Sequence, residues 1–260
     1  MTAYETIRYD LTDGVAEIRL DRPDSLNSLD KRMRSELAHA FERAPADGAR
    51  AVLMTGSGRS FCSGQDLGEA GAGGIRDVDR TLREQYEPML RAVLHCPMPV
   101  VVALNGVAAG AGASLALLGD VVIAGSSAQI VIAFARIGLA PDVGATWMLP
   151  RLVGLPRAMG MALTTEPIDA KRAAEWGLVW KAVADEALMT EARGLAGAFA
   201  KGPTKAFALT KKALRDGLAA DLENHLRAEA TAQAEAASTR DFAEGTAAFM
   251  EKRQPAFEGR

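Results

Sequence analysis

The spacing of the hydrophobic residues divides the chain near Pro141 into two parts with different secondary structure. Before Pro141, short runs typical of strands alternate with longer runs of helical period, in the repeated order strand, strand, helix. After Pro141, almost every periodic segment is helical. This order predicts an α/β core with a layered or spiral arrangement, followed by a helical region. We assign residues 1–190 to the core and residues 191–260 to the helical region.

The first elements follow from clear local patterns. Residues 7–10 and 15–20 flank a Thr-Asp-Gly turn and predict a β-hairpin whose second strand alternates apolar and charged side chains. Residues 31–44 predict an amphipathic helix with Asp30 as its N-cap. Further strands are predicted at residues 51–55, 99–104 and 121–124, and further helices at residues 78–94, 111–118, 157–163, 170–176, 187–201, 203–217, 221–237 and 241–252.

Composition narrows the possible classes of function. The formal net charge of −3 disfavours a nucleic-acid partner, because phosphate binding normally needs a basic face. No apolar run reaches the roughly 18 residues that span a bilayer, and the first residues do not resemble a secretion signal. The two cysteines and three scattered histidines suggest neither a disulfide framework nor a metal site. We therefore expect a cytoplasmic enzyme without a metal and without a membrane partner.

Two segments place small residues where a main chain could bind a ligand. Residues 60–67, Ser-Phe-Cys-Ser-Gly-Gln-Asp-Leu, include Gly64, which permits close approach to main-chain N–H groups. An ordinary exit from a strand into a loop is an equally good interpretation. Residues 105–114, Asn-Gly-Val-Ala-Ala-Gly-Ala-Gly-Ala-Ser, lie between a strand and a helix. A dinucleotide-binding loop is a poor interpretation of this segment, because the third glycine and the distal acid are missing. A helix N-terminus that faces developing negative charge fits better. The alternative is that the small residues only allow tight packing of the helix against the strand.

A third segment, residues 137–147, contains an aspartate in apolar surroundings. Asp142 follows Pro141 and precedes a helical run, so a helix N-cap is the commoner interpretation. The apolar neighbours Ile137, Leu139 and Val143 would instead desolvate the carboxylate and raise its pKa, as in a general base. The sequence leaves both interpretations open.

Two other features bear on function. Residues 68–79 are rich in glycine, alanine and acidic residues, and we interpret them as a lid loop over a binding pocket. Nucleophilic hydrolysis is disfavoured because neither Ser63 nor Ser114 lies in the G-x-S-x-G frame, and the histidines lie in predicted helices.

Together, the three segments resemble the crotonase (enoyl-CoA hydratase/isomerase) superfamily in their order and spacing. The resemblance extends from residues 20–23, Leu-Asp-Arg-Pro, to residues 249–253, Phe-Met-Glu-Lys-Arg, and so covers essentially the whole chain. It implies a crotonase-like α/β spiral of strand–strand–helix units with a C-terminal helical trimerisation region. It also implies an acyl-CoA substrate, no separate cofactor because coenzyme A is part of the substrate, and self-association as a trimer or a dimer of trimers.

The same resemblance implies roles for individual residues. The main-chain N–H groups of Gln65 and Ala111 correspond to the oxyanion hole that binds the thioester carbonyl. The two glutamates of the hydratases correspond to Ser114 and Phe134, whereas Asp142 occupies the position of the acid in the isomerases. The implied activity is therefore a double-bond shift with Asp142 as proton shuttle. Residues implied to contact the substrate are Ser63, Gly64, Gln65, Asp66, Leu67, Gly110, Ala111, Ser114, Phe134 and Lys252.

The finer resemblance is to the isomerases of bacterial phenylacetate degradation, which convert ring-1,2-epoxyphenylacetyl-CoA to its oxepin form. It rests mainly on residues 134–142 and 147–154. Ala145 departs from the family pattern, which usually has a second glycine there, and this leaves the acyl group open between an aromatic epoxide and a linear 3-enoyl chain. Two alternatives remain: an enoyl-CoA hydratase that uses Asp142 alone, and a non-catalytic acyl-CoA-binding homologue.

Overall fold

The computed structural model describes residues 4–68 and 77–260. The strands in these residues are β1 (Ile7–Thr12), β2 (Val15–Leu20), β3 (Ala51–Gly56), β4 (Ser60–Cys62), β5 (Val100–Leu104), β6 (Val107–Ala109), β7 (Val121–Gly125), β8 (Gln129–Val131), β9 (Ile168–Asp169) and β10 (Lys181–Val183). The helices are α1 (Lys31–Arg43), α2 (Val78–Thr81), α3 (Glu87–Leu94), α4 (Ala111–Leu117), α5 (Ala145–Val153), α6 (Leu155–Thr164), α7 (Ala170–Glu175), α8 (Asp185–Ala200), α9 (Thr204–Gly217), α10 (Leu222–Ala237) and α11 (Arg240–Glu251). A π-helical turn, Leu82–Tyr86, joins α2 to α3, and 3-10 turns occupy Pro23–Ser25 and Ala133–Ile137.

The larger of two sheets has six strands in the order β1-β2-β3-β5-β7-β10. Only the β1–β2 pair is antiparallel, and its turn residues Asp13 and Gly14 have φ angles of 50° and 77°. Two consecutive positive φ angles match the turn to the twist of the hairpin strands. The hairpin and the burial of Ala16, Ile18 and Leu20 in β2 are as predicted. Asp30 also caps α1 as predicted, because its side chain accepts a hydrogen bond from the Met33 N–H.

The smaller sheet has the order β4-β6-β8-β9. It contains the second strand of each of the consecutive pairs β3–β4, β5–β6 and β7–β8. While β3, β5 and β7 run in the larger sheet, the strands that follow them, β4, β6 and β8, pair in parallel in the smaller one. The predicted strand–strand–helix repeat is therefore confirmed. Because these three short strands are parallel, their carboxyl ends lie along one edge of the smaller sheet.

Several short strands were not predicted from the sequence. Strands β4, β6 and β8 have only three residues each, too few for a two-residue period to be recognised, and they run directly into glycine-containing turns. Strands β9 and β10, which lie between Pro141 and the last 70 residues, were also not predicted.

Helix α8 covers the outer face of the larger sheet. Its side chains Leu188, Ala192, Ala196 and Ala200 are spaced at every fourth position and are buried against strands β3, β5 and β7. Small residues in this row let the helix approach the strands closely. The predicted boundary between residues 190 and 191 lies within α8, and the division of the chain into a core and a helical region stays a prediction.

Helix α9 is tied to the core by a cluster of charges around Asp120. The carboxylate of Asp120 pairs with Lys211 Nζ at 2.5 Å and with an Arg215 guanidinium nitrogen at 2.7 Å. Lys211 also donates to the carbonyl groups of Cys96 and Met98. Beyond this anchor, the last three helices bury little of their own surface, since only Asp241 and Ala248 are buried within α9–α11.

Two expectations from the sequence concern surfaces outside the core. The loop predicted to be a lid, residues 68–79, lies mostly outside the described residues. Within the described ranges, no helix combines the length and the hydrophobicity that crossing a bilayer requires.

We predict that Gly112→Ala strongly destabilises the protein. A methyl group at Gly112 in α4 would lie 2.3 Å from the Cys62 carbonyl oxygen and 2.7 Å from Cys62 Sγ. Because this neighbour is main chain that cannot turn aside, we expect a loss of about 1–3 kcal/mol or more in unfolding free energy. Gly160→Ala in α6 is the matched control, since no atom lies within 4 Å of the added methyl group and the gain in helix propensity is stabilising. Equal stability of the two variants in urea denaturation would contradict the packing described.

Candidate active site

A cavity of about 240 Å³ opens at the carboxyl edge of the smaller sheet. Three parts of its wall directly follow three neighbouring strands: residues 63–65 follow β4, residues 110–111 follow β6, and residues 133–134 follow β8. Crevices beyond the carboxyl ends of parallel strands are common ligand sites in α/β proteins. The rest of the wall is largely apolar and includes Leu67, Val78, Leu82, Ile137 and Leu139.

Two of these wall segments touch each other main chain to main chain. A side chain at Gly64 would place its Cβ 2.7 Å from the Ala109 carbonyl oxygen and 3.5 Å from the Ala111 nitrogen. Gly64 also has a φ angle of 98°, which L residues rarely adopt. Glycine is therefore required here both for space and for conformation, and the contact brings the Gln65 and Ala111 segments together.

The orientation of the Gln65 peptide follows from the strand-like pairing beside it. The Leu29 N–H donates to the Gly64 carbonyl at 2.7 Å, and the Asp66 N–H donates to the Leu29 carbonyl at 3.2 Å. In an extended segment, successive peptide groups point to opposite sides, so the N–H of Gln65 points away from Leu29. Gln65 lines the cavity on that side.

Ala111 contributes a second main-chain N–H at the cavity. It is the first residue of α4, so its N–H has no acceptor within the helix. Gly110, with a φ angle of 53°, turns the chain between β6 and this helix. Two converging main-chain donors suit an oxygen that gains negative charge during a reaction. The oxyanion hole at Gln65 and Ala111 stays a prediction, and the geometry is compatible with it.

Asp142 lines the same cavity and its carboxylate is poorly solvated. Within residues 4–68 and 77–260, its Oδ1 atom is buried without a hydrogen-bond partner. Burial raises the pKa of Asp142 to about 6, although a main-chain hydrogen bond acts in the opposite direction. The main-chain carbonyl oxygen of Asp142 accepts hydrogen bonds from the Ala145 N–H at 2.9 Å and from the Ser114 hydroxyl at 3.2 Å. The carboxylate is thus held near the cavity by its main chain.

The alternative interpretation of Asp142 as a helix N-cap is wrong. Helix α5 begins at Ala145, its N-cap is Gly144, and no side chain caps it. Ala145, which departs from the family pattern, is fully buried and does not line the cavity. Its methyl group therefore belongs to the packing behind Asp142 rather than to the cavity wall.

Of the other residues that the resemblance implies as substrate contacts, some line the cavity and others lie outside its wall. Phe134 lines the cavity, whereas Ser114 is fully buried behind it and contacts the Asp142 main chain. Asp66 is not in the wall: its carboxylate pairs with Arg22 at 2.8 Å and accepts from Ser28. Although burial opposes this, those hydrogen bonds lower the pKa of Asp66. Lys252 is exposed at the end of α11, also outside the cavity wall.

Sequence reasoning missed several polar residues at the cavity, of which Tyr86 and Arg34 form a buried pair. Tyr86, which the periodicity assigned to an apolar helix face, is 4% exposed and lines the cavity. Burial raises the pKa of its phenol, Arg34 lowers it, and the charge of Asp142 raises it further. Arg34 itself is 1% exposed. Its position three residues before Leu37, on the buried face of α1, was the available signal.

Comparison with known proteins identifies close relatives over nearly the whole chain. Residues 10–260 match the family model described as enoyl-CoA hydratase/isomerase. A Rhodobacter capsulatus protein described as a probable enoyl-CoA hydratase is 53% identical over 258 residues, which cover 99% of this chain and 100% of that protein. The 1,2-epoxyphenylacetyl-CoA isomerase of Escherichia coli is 42% identical over 251 residues, covering 95% of this chain and 96% of the isomerase.

A solved structure supports the fold assignment. A crystal structure from Mycobacterium abscessus, described as an enoyl-CoA hydratase/isomerase, superposes with a TM-score of 0.93 at 42% identity. The superposition covers 98% of this chain and 100% of that one. The α/β fold with paired strands and C-terminal helices is therefore the one predicted from the sequence.

We predict that Asp142→Asn stabilises the folded protein at pH 8 but not at pH 4. The folded-state pKa of about 6 lies above the ordinary value of 3.8, so the folded state binds the proton more tightly and loses stability as pH rises through this window. Removing the charge should add roughly 1–2 kcal/mol at pH 8, allowing for partial exposure. Urea denaturation at both pH values measures the effect. Asp24→Asn, at an exposed aspartate, is the control, and a destabilised Asp142→Asn at pH 8 would contradict the desolvation described.

Proposed function

The chain belongs to the enoyl-CoA hydratase/isomerase family, and from this premise we propose that it is an acyl-CoA isomerase that moves a double bond with Asp142 as its proton shuttle. One observation carries the proposal: among the described residues that line the cavity, Asp142 is the only carboxylic acid. The positions that correspond to the glutamates of the hydratases hold Ser114 and Phe134, which do not act as acid or base near neutral pH.

The chemistry of the two reactions explains why the number of carboxylates matters. Adding water to an enoyl-CoA requires one group to activate the water and another to deliver a proton to carbon. Moving a double bond from the β,γ to the α,β position removes a proton from one carbon and returns it two carbons away. A single base that keeps the proton can perform both steps, provided that the intermediate dienolate is stabilised at its oxygen. Asp142, with a pKa of about 6, is ionised and ready to accept a proton at neutral pH.

The main-chain N–H groups of Gln65 and Ala111 are proposed to stabilise that dienolate. The thioester carbonyl would bind between them, and the negative charge that develops on its oxygen would strengthen both hydrogen bonds. Removal of one donor of this kind typically costs about 3 kcal/mol in the barrier. Because the donors belong to a contact between two main chains, they need no rearrangement when charge appears.

For the acyl group, we propose an apolar substituent of either of two kinds. The similarity to the Escherichia coli 1,2-epoxyphenylacetyl-CoA isomerase favours a ring epoxide, and the apolar walls Leu82, Ile137 and Leu139 suit a ring or a linear 3-enoyl chain equally. Comparing kcat/KM for ring-1,2-epoxyphenylacetyl-CoA and a linear 3-enoyl-CoA separates these substrates. We expect activity on at least one of them.

The second candidate function is enoyl-CoA hydration with Asp142 as the sole acid–base group. It is favoured by the Rhodobacter capsulatus relative, which is described as a hydratase and is 53% identical. Following the loss of absorbance of a 2-enoyl-CoA at neutral pH tests it. Hydration faster than isomerisation of the matching 3-enoyl-CoA would establish this function in place of the proposed one.

We also propose that the C-terminal helices mediate self-association as a trimer or a dimer of trimers. Their apolar side chains are unusually exposed, from 48% at Leu226 to 82% at Phe249. Large apolar side chains exposed in such number on neighbouring helices are typical of interaction sites. The exposed apolar residues on or beside α9–α11 are Leu214, Leu218, Leu222, Leu226, Phe242, Phe249 and Met250. Lys252, at the end of the same surface, would reach a phosphate of coenzyme A from its own or a neighbouring subunit.

We predict that Asp142→Asn reduces kcat for conversion of a 3-enoyl-CoA to the 2-enoyl-CoA by at least about 1,000-fold, because no other acid in the described wall can carry the proton. The formation of the conjugated thioester is followed by its ultraviolet absorbance. In the unmodified protein, kcat should rise with pH through about 6, as the Asp142 carboxylate ionises.

Asp24→Asn is the control for this experiment and should retain full activity. Binding of a saturated acyl-CoA to Asp142→Asn shows that the variant is folded. A folded Asp142→Asn variant that keeps the turnover of the unmodified protein would refute the proposed function. If the unmodified protein binds acyl-CoA tightly but turns over no substrate, the non-catalytic homologue is favoured.

We predict that the unmodified protein has a solution mass of three or six times 27.4 kDa by light scattering. The double variant Leu218→Glu, Phe249→Glu should shift this mass toward the monomer, since it buries two charges in the proposed interface. Leu11→Glu, at an exposed leucine on β1, is the control. A monomeric mass for the unmodified protein would contradict the assembly.

A further inference from the structure

Behind the Gln65 side of the cavity lies a buried cation, Arg34. Its guanidinium donates to the Leu29 carbonyl at 2.6 Å, to Gln65 Oε1 at 3.0 Å and to Gln85 Oε1 at 2.5 Å. The same group lies 4.7 Å from the centre of the Tyr86 ring. A buried guanidinium is costly unless hydrogen bonds and aromatic faces replace its water, and here a fixed set of partners does so.

The Gln65 side chain is the centre of this network. Its Oε1 accepts from Arg34 and from the Tyr86 hydroxyl, and its Nε2 donates to the Asp66 carbonyl at 3.0 Å. The Leu29 carbonyl that binds Arg34 also accepts the Asp66 N–H, which fixes the peptide next to Gln65. Arg34 is therefore connected both to the side chain of Gln65 and to the main-chain pairing that orients its N–H.

We propose that Arg34 is a positioning residue, which locks Gln65 and Tyr86 so that the Gln65 N–H is directed at the enolate oxygen of the substrate. This role rests on the proposed function, because it needs an oxyanion to form at that N–H. Arginine suits it because a planar guanidinium can bind several carbonyl-type oxygens at fixed angles, which a lysine ammonium cannot do. The hydroxyl of Tyr86, which lines the cavity, completes the network by donating to Gln65 Oε1.

The same helix offers a matched control in Arg43. Its guanidinium also stacks on a tyrosine, 5.0 Å from the centre of the Tyr9 ring, and pairs with Asp47 at 2.8 Å. Neither Tyr9 nor Asp47 lines the cavity. Arg43→Met therefore removes an equivalent cation–π contact from α1 without touching the Gln65 network.

The first measurement compares kcat and KM of Arg34→Met, Arg34→Lys and Arg43→Met on a 3-enoyl-CoA. Misplacement of a catalytic group by about 1 Å can cost about 100-fold, so we expect Arg34→Met to lower kcat by about 10- to 100-fold with KM changed less than about threefold. Arg34→Lys should recover little of this loss, and Arg43→Met should match the unmodified protein in kcat.

The second measurement does not depend on turnover. A 2,4-dienoyl-CoA with a ¹³C-labelled thioester carbonyl is bound, and the carbonyl stretch is recorded by difference infrared spectroscopy. Donors directed at the oxygen lower this frequency, so we expect a large shift in the unmodified protein, in Arg43→Met and in Asp142→Asn. The shift should be clearly smaller in Arg34→Met. If the unmodified protein has no isomerase activity, the proposed function is refuted. The carbonyl stretching frequency of the bound thioester still tests whether Arg34 positions the Gln65 N–H.

Arg34→Met with unchanged kcat and an unchanged carbonyl shift overturns the inference. If that variant fails to fold, Gln65→Met decides, because it keeps the peptide N–H and the guanidinium but removes the side-chain link. A reduced kcat and a reduced carbonyl shift in Gln65→Met support the positioning role. Values equal to those of the unmodified protein overturn it.

Discussion

The direct contact of two main chains beside the smaller sheet shapes the cavity at which we propose that the reaction takes place. Gly64 lies against the main chain at Ala109 and Ala111, and Gly112 lies against the main chain and the thiol of Cys62. Neighbouring parallel strands, β4 and β6, bring the two segments side by side. Their N–H groups are therefore oriented by the fold itself, before any substrate binds, which is the condition for effective electrostatic stabilisation of a transition state.

The carboxylate of Asp142, which we propose as the base, has few polar contacts. Its main-chain carbonyl is held by Ser114 and Ala145, whereas burial among apolar side chains raises the pKa of its carboxyl group to about 6. A carboxylate bound by an arginine would be better satisfied and a weaker base. The buried cation of this site, Arg34, instead bonds to neutral oxygens of Leu29, Gln65 and Gln85.

The spacing of hydrophobic residues predicted those helices and strands that are long enough to show a regular period. The hairpin, α1 and the helices of the last third were found close to their predicted bounds, as was the strand–strand–helix order. The three-residue strands β4, β6 and β8 were missed, although they carry the site, because their pairing depends on partners distant in sequence. The role of Asp142 could not be decided from the sequence, since an N-cap and a desolvated base differ only in three-dimensional surroundings. Arg34 was overlooked although its place on the buried face of α1 was visible.

The division of the cavity between main-chain donors and side-chain walls has a consequence for how such proteins diversify. Among the natural residues only proline lacks a peptide N–H, so the proposed donors at Gln65 and Ala111 would persist through every other substitution as long as the glycine contact remains. The wall residues Leu82, Ile137 and Leu139 belong to a π-helical turn, a 3-10 turn and the loop after it, all outside the sheets. Related proteins could therefore exchange these side chains and acquire new acyl preferences while the proposed main-chain donors stay unchanged.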